Sequence, residues 1–108
     1  MSTISRDHLK QRIDTDPAVV LLDVLTPSDF DDYHLPKARN VPLGDDFAHR
    51  VAFAFPNRQA ELIVYCRDAQ CDAASKAAEE LRTAGYSRVL HYADGKKAWL
   101  EAGLRVIY

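Results

Sequence analysis

The chain has 108 residues, 47% of them hydrophobic, which is enough to bury one core and argues against a second domain. Its 14 Lys and Arg are interspersed with 16 Asp and Glu for a formal charge of -2, so a basic footprint for nucleic acid or an anionic membrane is missing. Met1 to Asp7 lack the apolar stretch of a secretory leader, no apolar run nears membrane-spanning length, and two cysteines make no disulfide framework. The expectation is a cytoplasmic protein with reduced thiols, whose partners are small molecules or proteins.

In chain order, Ile4, Leu9 and Ile13 describe a first helix with Ser5 as N-cap, ending between Asp14 and Pro17. Ala18 to Val24 is an aliphatic run interrupted by Asp23, the pattern of a strand buried on both faces of a parallel sheet. Thr26, Pro27 and Asp29 supply the cap, first-turn proline and first-turn acid of a short helix. Pro36 and Pro42 interrupt the next stretch, leaving room for a brief strand at Asn40 to Pro42. A third helix spans Asp46 to Phe55 with Phe47 and Val51 inward, and Phe47, Phe53 and Phe55 either line a pocket or bury that helix. Leu62 to Tyr65 is a buried strand, and Ala73 to Leu81 a helix presenting Ala74, Ala77, Ala78 and Leu81 on one face, stopped by Gly85. Val89 to Tyr92 forms another strand, Asp94 and Gly95 a turn, Lys96 to Ala102 a last helix with Trp99 in the core, and Val106 to Tyr108 an edge strand or a tail. Strands alternating with helices predict an α/β domain over residues 1–108, its mainly parallel sheet covered by helices on both faces.

Cys66 stands between the third strand and the alanine-rich helix, where unpaired N–H groups and the helix dipole favour an anion. That setting is expected to lower the thiol pKa and makes Cys66 a candidate nucleophile, although a free cysteine at such a position also serves as inert packing. Cys71, five residues on, is either a resolving thiol for Cys66 or a small half-buried residue that begins the helix. A zinc site would need a second cysteine pair, and His8, His34, His49 and His91 are scattered, so neither metal nor cofactor is expected. Asp23 is read as satisfying buried amides, His34 as fixing its loop, Arg67 as a binder of anionic substrate or a solvated surface residue, and Lys96 with Lys97 as a solvated helix start.

Taken in order, Leu22-Asp23-Val24, Thr26 to Phe30, His34 to Leu43, Val64-Tyr65-Cys66-Arg67, Ala77-Ala78, Gly85-Tyr86, Gly95 with Ala98-Trp99, and Ala102-Gly103 resemble a single-domain rhodanese. The resemblance runs from Ile4 to Arg105 and implies a three-layer α/β sandwich. It also implies a sulfurtransferase whose Cys66 takes up sulfane sulfur as a persulfide and passes it to a thiol, to cyanide or to a carrier protein. The implied substrate loop is Cys66, Arg67, Asp68, Ala69, Gln70 and Cys71, and the implied sulfur donors are thiosulfate, 3-mercaptopyruvate or a low-molecular-weight persulfide. A thiol-disulfide module using Cys66 and Cys71, or a non-catalytic regulatory domain, stays open beside it. The phosphatase and arsenate-reductase relatives fit less well, because no arginine closes the loop to clamp an oxyanion. This chain departs from the family pattern at Leu25, Tyr33, Ala69, Cys71 and Asp94. With Arg67 facing Asp68 and Asp72, the loop is weakly acidic and weak activity with thiosulfate is expected.

Overall fold

The computed structural model describes residues 2–108; Met1, where the N-terminal reading begins, lies outside them. Five helices and four strands alternate as α1 (Arg6–Thr15), β1 (Leu21–Asp23), α2 (Pro27–Asp32), β2 (Ala38–Asn40), α3 (Phe47–Ala54), β3 (Glu61–Tyr65), α4 (Ala73–Thr83), β4 (Arg88–Tyr92) and α5 (Gly95–Glu101). The sheet order is β2-β1-β3-β4, and every pairing is parallel. The register sets Leu21 beside Ile63 and Asp23 beside Tyr65, so the carboxyl ends of β1 and β3 lie together.

Successive strand residues point to opposite faces, and this divides the core in two. Leu22, Leu62, Val64 and Cys66 pack against Phe47 and Val51 of α3 and the Ala74, Ala77, Ala78, Leu81 stripe of α4. Leu21, Ile63 and Tyr65 pack on the other face against Leu9 and Ile13 of α1 and Trp99 of α5. Each such aliphatic side chain, fully buried, stabilises the fold by about 1.5–3 kcal/mol before chain entropy is counted. The alanines of α4 bring that helix close to the strands that position Cys66.

The caps form as the sequence predicts. Ser5 Oγ accepts the His8 N–H at 3.2 Å, Thr26 Oγ1 accepts the Asp29 N–H at 3.2 Å, and Gly85 follows α4 with a φ of 104°. Two strands differ from the sequence reading. β1 is shorter than the apolar run because Asp16, which caps α1, accepts the Ala18 N–H through its side chain and the Val19 N–H through its carbonyl, curling the backbone there. β2 lies at Ala38–Asn40 and stops short of Pro42, which has no N–H to continue a ladder. The C-terminal stretch makes one antiparallel bridge, Ile107 to His34, and no strand.

Candidate active site

The chain runs from β1 outward to β2 and then returns to the other side of β1 as β3, so the topology switches direction between β1 and β3. In open α/β sheets the crevice outside the carboxyl ends at such a switch is where ligands bind. Cys66 is the first residue beyond β3 at that point, and the loop from Cys66 to Asp72 leads into α4. The backbone N–H groups of Ala74 and Arg67 favour the anionic form of its sulfur. Both belong to the strand-to-helix corner, which explains why the anion-favouring donors gather at this one side chain.

The thiol itself does not behave as its position in the sequence suggests. Cys66 is only 2% exposed, and its S–H donates to the Cys71 carbonyl at 3.3 Å. Burial, reinforced by the contact with Cys71, pushes the thiol pKa up to about 12 and outweighs the two backbone donors. The expectation of a lowered pKa is therefore corrected for this state of the loop: the helix terminus is present, but the sulfur is dry and the nearest carbonyl stabilises the protonated form.

The remaining loop residues divide by what they touch. The Asp68 carboxylate turns inward along the loop, accepting the Gln70 N–H at 3.0 Å and the Cys71 N–H at 3.1 Å through one oxygen. Two amides that could face an anion are thereby occupied by a side chain of the loop itself. Arg67 is exposed and lies 3.7 Å from the Asp29 carboxylate, a loose pair worth at most about 1 kcal/mol and easily opened for a ligand. Ala69 and Gln70 project outward, whereas Cys71 is half-buried against the same core as Cys66. Both cysteines are free thiols. Asp72 begins α4 without a side-chain cap.

The start of α5 supports the loop from below. The Lys96 N–H donates to the Cys66 carbonyl at 3.0 Å and the Lys97 N–H to the Arg67 carbonyl at 2.9 Å, so α5's first free donors are used on the loop backbone. Gly95 makes this approach possible. With φ of 80°, it lies where a Cβ would fall 2.5 Å from the Asp68 N and Cα. A sequence reading finds Gly95 only as a turn residue, because its contact partner is 27 positions away.

Lys96 is a correction to the sequence reading. It is no solvated helix start but 2% exposed, with Nζ donating to the carbonyls of Asp29 at 2.6 Å and Tyr33 at 2.8 Å and lying 4.2 Å from the centre of the Tyr33 ring. It thus closes the carboxyl end of α2, and burial lowers its pKa. Asp23 satisfies buried donors as expected: one oxygen accepts the Leu25 N–H at 2.9 Å, while the other has no hydrogen-bond partner and burial raises the carboxyl's pKa. His34 stacks on Phe30 with ring centres 3.7 Å apart and shares a 3.0 Å hydrogen bond with the Phe30 carbonyl, a positioning role. Leu25 is buried.

A cleft of about 850 Å³ between α3 and α4, lined by Leu43, Phe47, His49, Lys76, Glu80 and Thr83, includes none of the loop residues. The three phenylalanines do not share one role: Phe47 is core, Phe55 is half-buried, and Phe53 is 91% exposed. Among the described residues no three His, Cys, Asp or Glu side chains converge as a metal-holding group, and no helix is long and apolar enough to cross a membrane.

Comparison with known proteins agrees with this architecture. A sulfurtransferase of Allochromatium vinosum is 26% identical over 109 residues, covering 99% of this chain and 95% of that protein. The thiosulfate:glutathione sulfurtransferase of Saccharomyces cerevisiae is 29% identical over 98 residues, or 82% of this chain and 69% of its own length. The crystal structure of the Alr3790 protein from Anabaena sp. superposes with a TM-score of 0.84 at 28% identity, covering 96% of this chain and 90% of that one. The family model for the rhodanese-like domain matches residues 5–102, and the chain belongs to that family.

Proposed function

We propose that the protein is a sulfurtransferase in which Cys66 takes up sulfane sulfur as a persulfide and delivers it to a thiol or to a carrier protein, through the one rhodanese-like domain. The observation that carries this reading is the position of Cys66 at the sheet's switch point, at the start of the loop that leads into α4. Family membership and the sulfurtransferases among the relatives support the same class of reaction.

The residues divide the work as follows. Attack on a sulfur donor requires the thiolate, so the Cys66 proton must leave and its hydrogen bond to the Cys71 carbonyl is given up. The Arg67 and Ala74 amides then stabilise negative charge on the sulfur before transfer and on the persulfide after it. Arg67, held only loosely by Asp29, is placed to meet the anionic end of a donor. Asp68 acts in the opposite direction. Its carboxylate occupies the Gln70 and Cys71 amides and puts a negative charge within the loop, which disfavours a small dianion such as thiosulfate relative to an organic persulfide or 3-mercaptopyruvate.

The test is peptide mass spectrometry of reduced protein exposed in turn to thiosulfate, 3-mercaptopyruvate and glutathione persulfide. One sulfur atom gained on Cys66, and absent in Cys66→Ser, is the expected result; no gain with any donor would overturn the proposal.

A further inference from the structure

Cys71 has no part in the transfer just described, yet it is the side chain nearest in chemistry to the reacting sulfur. Its half-buried side chain packs against the same core cluster as Cys66, and its carbonyl accepts the Cys66 S–H at 3.3 Å. The contact is held at both ends. The Cys66 carbonyl is tied to the Lys96 N–H at 3.0 Å, and the Cys71 N–H is tied to both the carbonyl and the carboxylate of Asp68, at 3.2 and 3.1 Å. A five-residue separation closed by these bonds keeps two reduced cysteines in one loop, packed on the same side of the sheet.

We infer that Cys71 is a resolving thiol, which discharges the Cys66 persulfide as hydrosulfide when no external acceptor is present; this rests on the persulfide reading above. In the step, the Cys71 sulfur bonds to Cys66 Sγ and the bond from Sγ to the outer sulfur breaks. The electron pair leaves on the outer sulfur, which takes the Cys71 proton and departs as hydrosulfide. The outer sulfur is reduced from zero to minus two, and the two cysteines are oxidised together to a disulfide. Attack at Sγ, rather than at the outer sulfur, is what separates this step from transfer: it leaves a disulfide between the two cysteines and frees the outer sulfur. An external thiol reductant then restores the dithiol. The domain gains a second activity, release of reduced sulfur, and a self-limiting state in which Cys66 is capped by its neighbour.

The experiment loads reduced wild type and Cys71→Ser with glutathione persulfide, removes the donor by desalting, and follows both proteins without added thiol. Peptide mass spectrometry reads Cys66, and bimane trapping reads released hydrosulfide. Wild type is expected to lose the added sulfur, yield one hydrosulfide per chain and gain a Cys66 to Cys71 disulfide, while Cys71→Ser keeps its persulfide. A wild-type persulfide as long-lived as that of Cys71→Ser would overturn the inference and leave the transferase reading intact. Absence of any persulfide, disulfide or hydrosulfide from wild type and from folded Cys71→Ser alike would remove the transferase reading and the inference together, whereas loading of wild type alone, with its persulfide persisting, ends only the inference. Should Cys71→Ser fail to fold, wild type alone decides: disulfide with hydrosulfide supports the inference, and a persistent persulfide ends it.

Discussion

Replacing Gly95 by alanine tests the support of the loop by α5 most directly. The new Cβ would lie 2.5 Å from the Asp68 N and Cα and 2.6 Å from the Arg67 carbonyl carbon, where ordinary contact begins at 3.4 Å. The loop backbone must therefore retreat by about 0.9 Å, or α5 must shift, and either stretches the Lys96 and Lys97 hydrogen bonds to Cys66 and Arg67. Overpacking of this kind costs roughly 1–3 kcal/mol. The left-handed backbone at φ of 80° adds about 1–2 kcal/mol for a residue with a Cβ, giving a loss of about 2–5 kcal/mol in all. Gly103 is the internal control: its φ is 77°, but nothing lies within 4 Å of its would-be Cβ, so Gly103→Ala bears the backbone term alone. Urea unfolding of both variants separates the two contributions, and Cys66 alkylation reports whether the loop has moved. If Gly95→Ala is no less stable than Gly103→Ala, and alkylates Cys66 at the wild-type rate, the contact does not hold the loop as argued.

Three further outcomes follow from the buried groups. Lys96→Met keeps the packing of the side-chain stem but leaves the Asp29 and Tyr33 carbonyls without their donor, and a loss of roughly 1–3 kcal/mol is expected in denaturant titration; a neutral result would mean that water replaces Nζ at no cost. Asp23 has a folded pKa raised above its ordinary 3.8, so the unfolded chain ionises first and the group's contribution to stability falls as pH climbs from about 3.8 through the raised folded value. Asp23→Asn should accordingly improve relative to wild type as pH rises from about 3.8 in urea unfolding, and an unchanged difference would contradict the raised pKa. Because burial pushes the Cys66 thiol to about 12, its iodoacetamide reaction should accelerate steadily as pH rises from neutral, with no plateau in the range where an ordinary cysteine would saturate. A plateau near neutral pH would show that the loop opens and exposes an activated thiolate without a sulfur donor.

The local signals in this sequence were sufficient for most of the elements and for the place of Cys66 among them. Ser5, Thr26 with Pro27, and Gly85 marked their helix ends because capping is decided within one turn, by the side chain next to the backbone it satisfies. The alanine stripe of α4 and the apolar run of β3 set Cys66 at a strand-to-helix corner by periodicity alone, and the ordered motifs around it were enough to suggest the family. What the sequence did not contain was the environment of that sulfur. Its dryness comes from a core built by β1, β3, α3 and α4, its hydrogen bond goes to Cys71 across a loop, and its carbonyl is anchored by Lys96, 30 residues away. Lys96 itself reads as a surface lysine until the fold brings the end of α2 to it, 63 and 67 positions back along the chain. Burial and long-range hydrogen bonding are properties of the packed whole, so they move a pKa or hide a charge with no local trace. The chain alone determined that Cys66 stands at the strand-to-helix corner; tertiary packing decided that its thiol is buried and turned toward the Cys71 carbonyl.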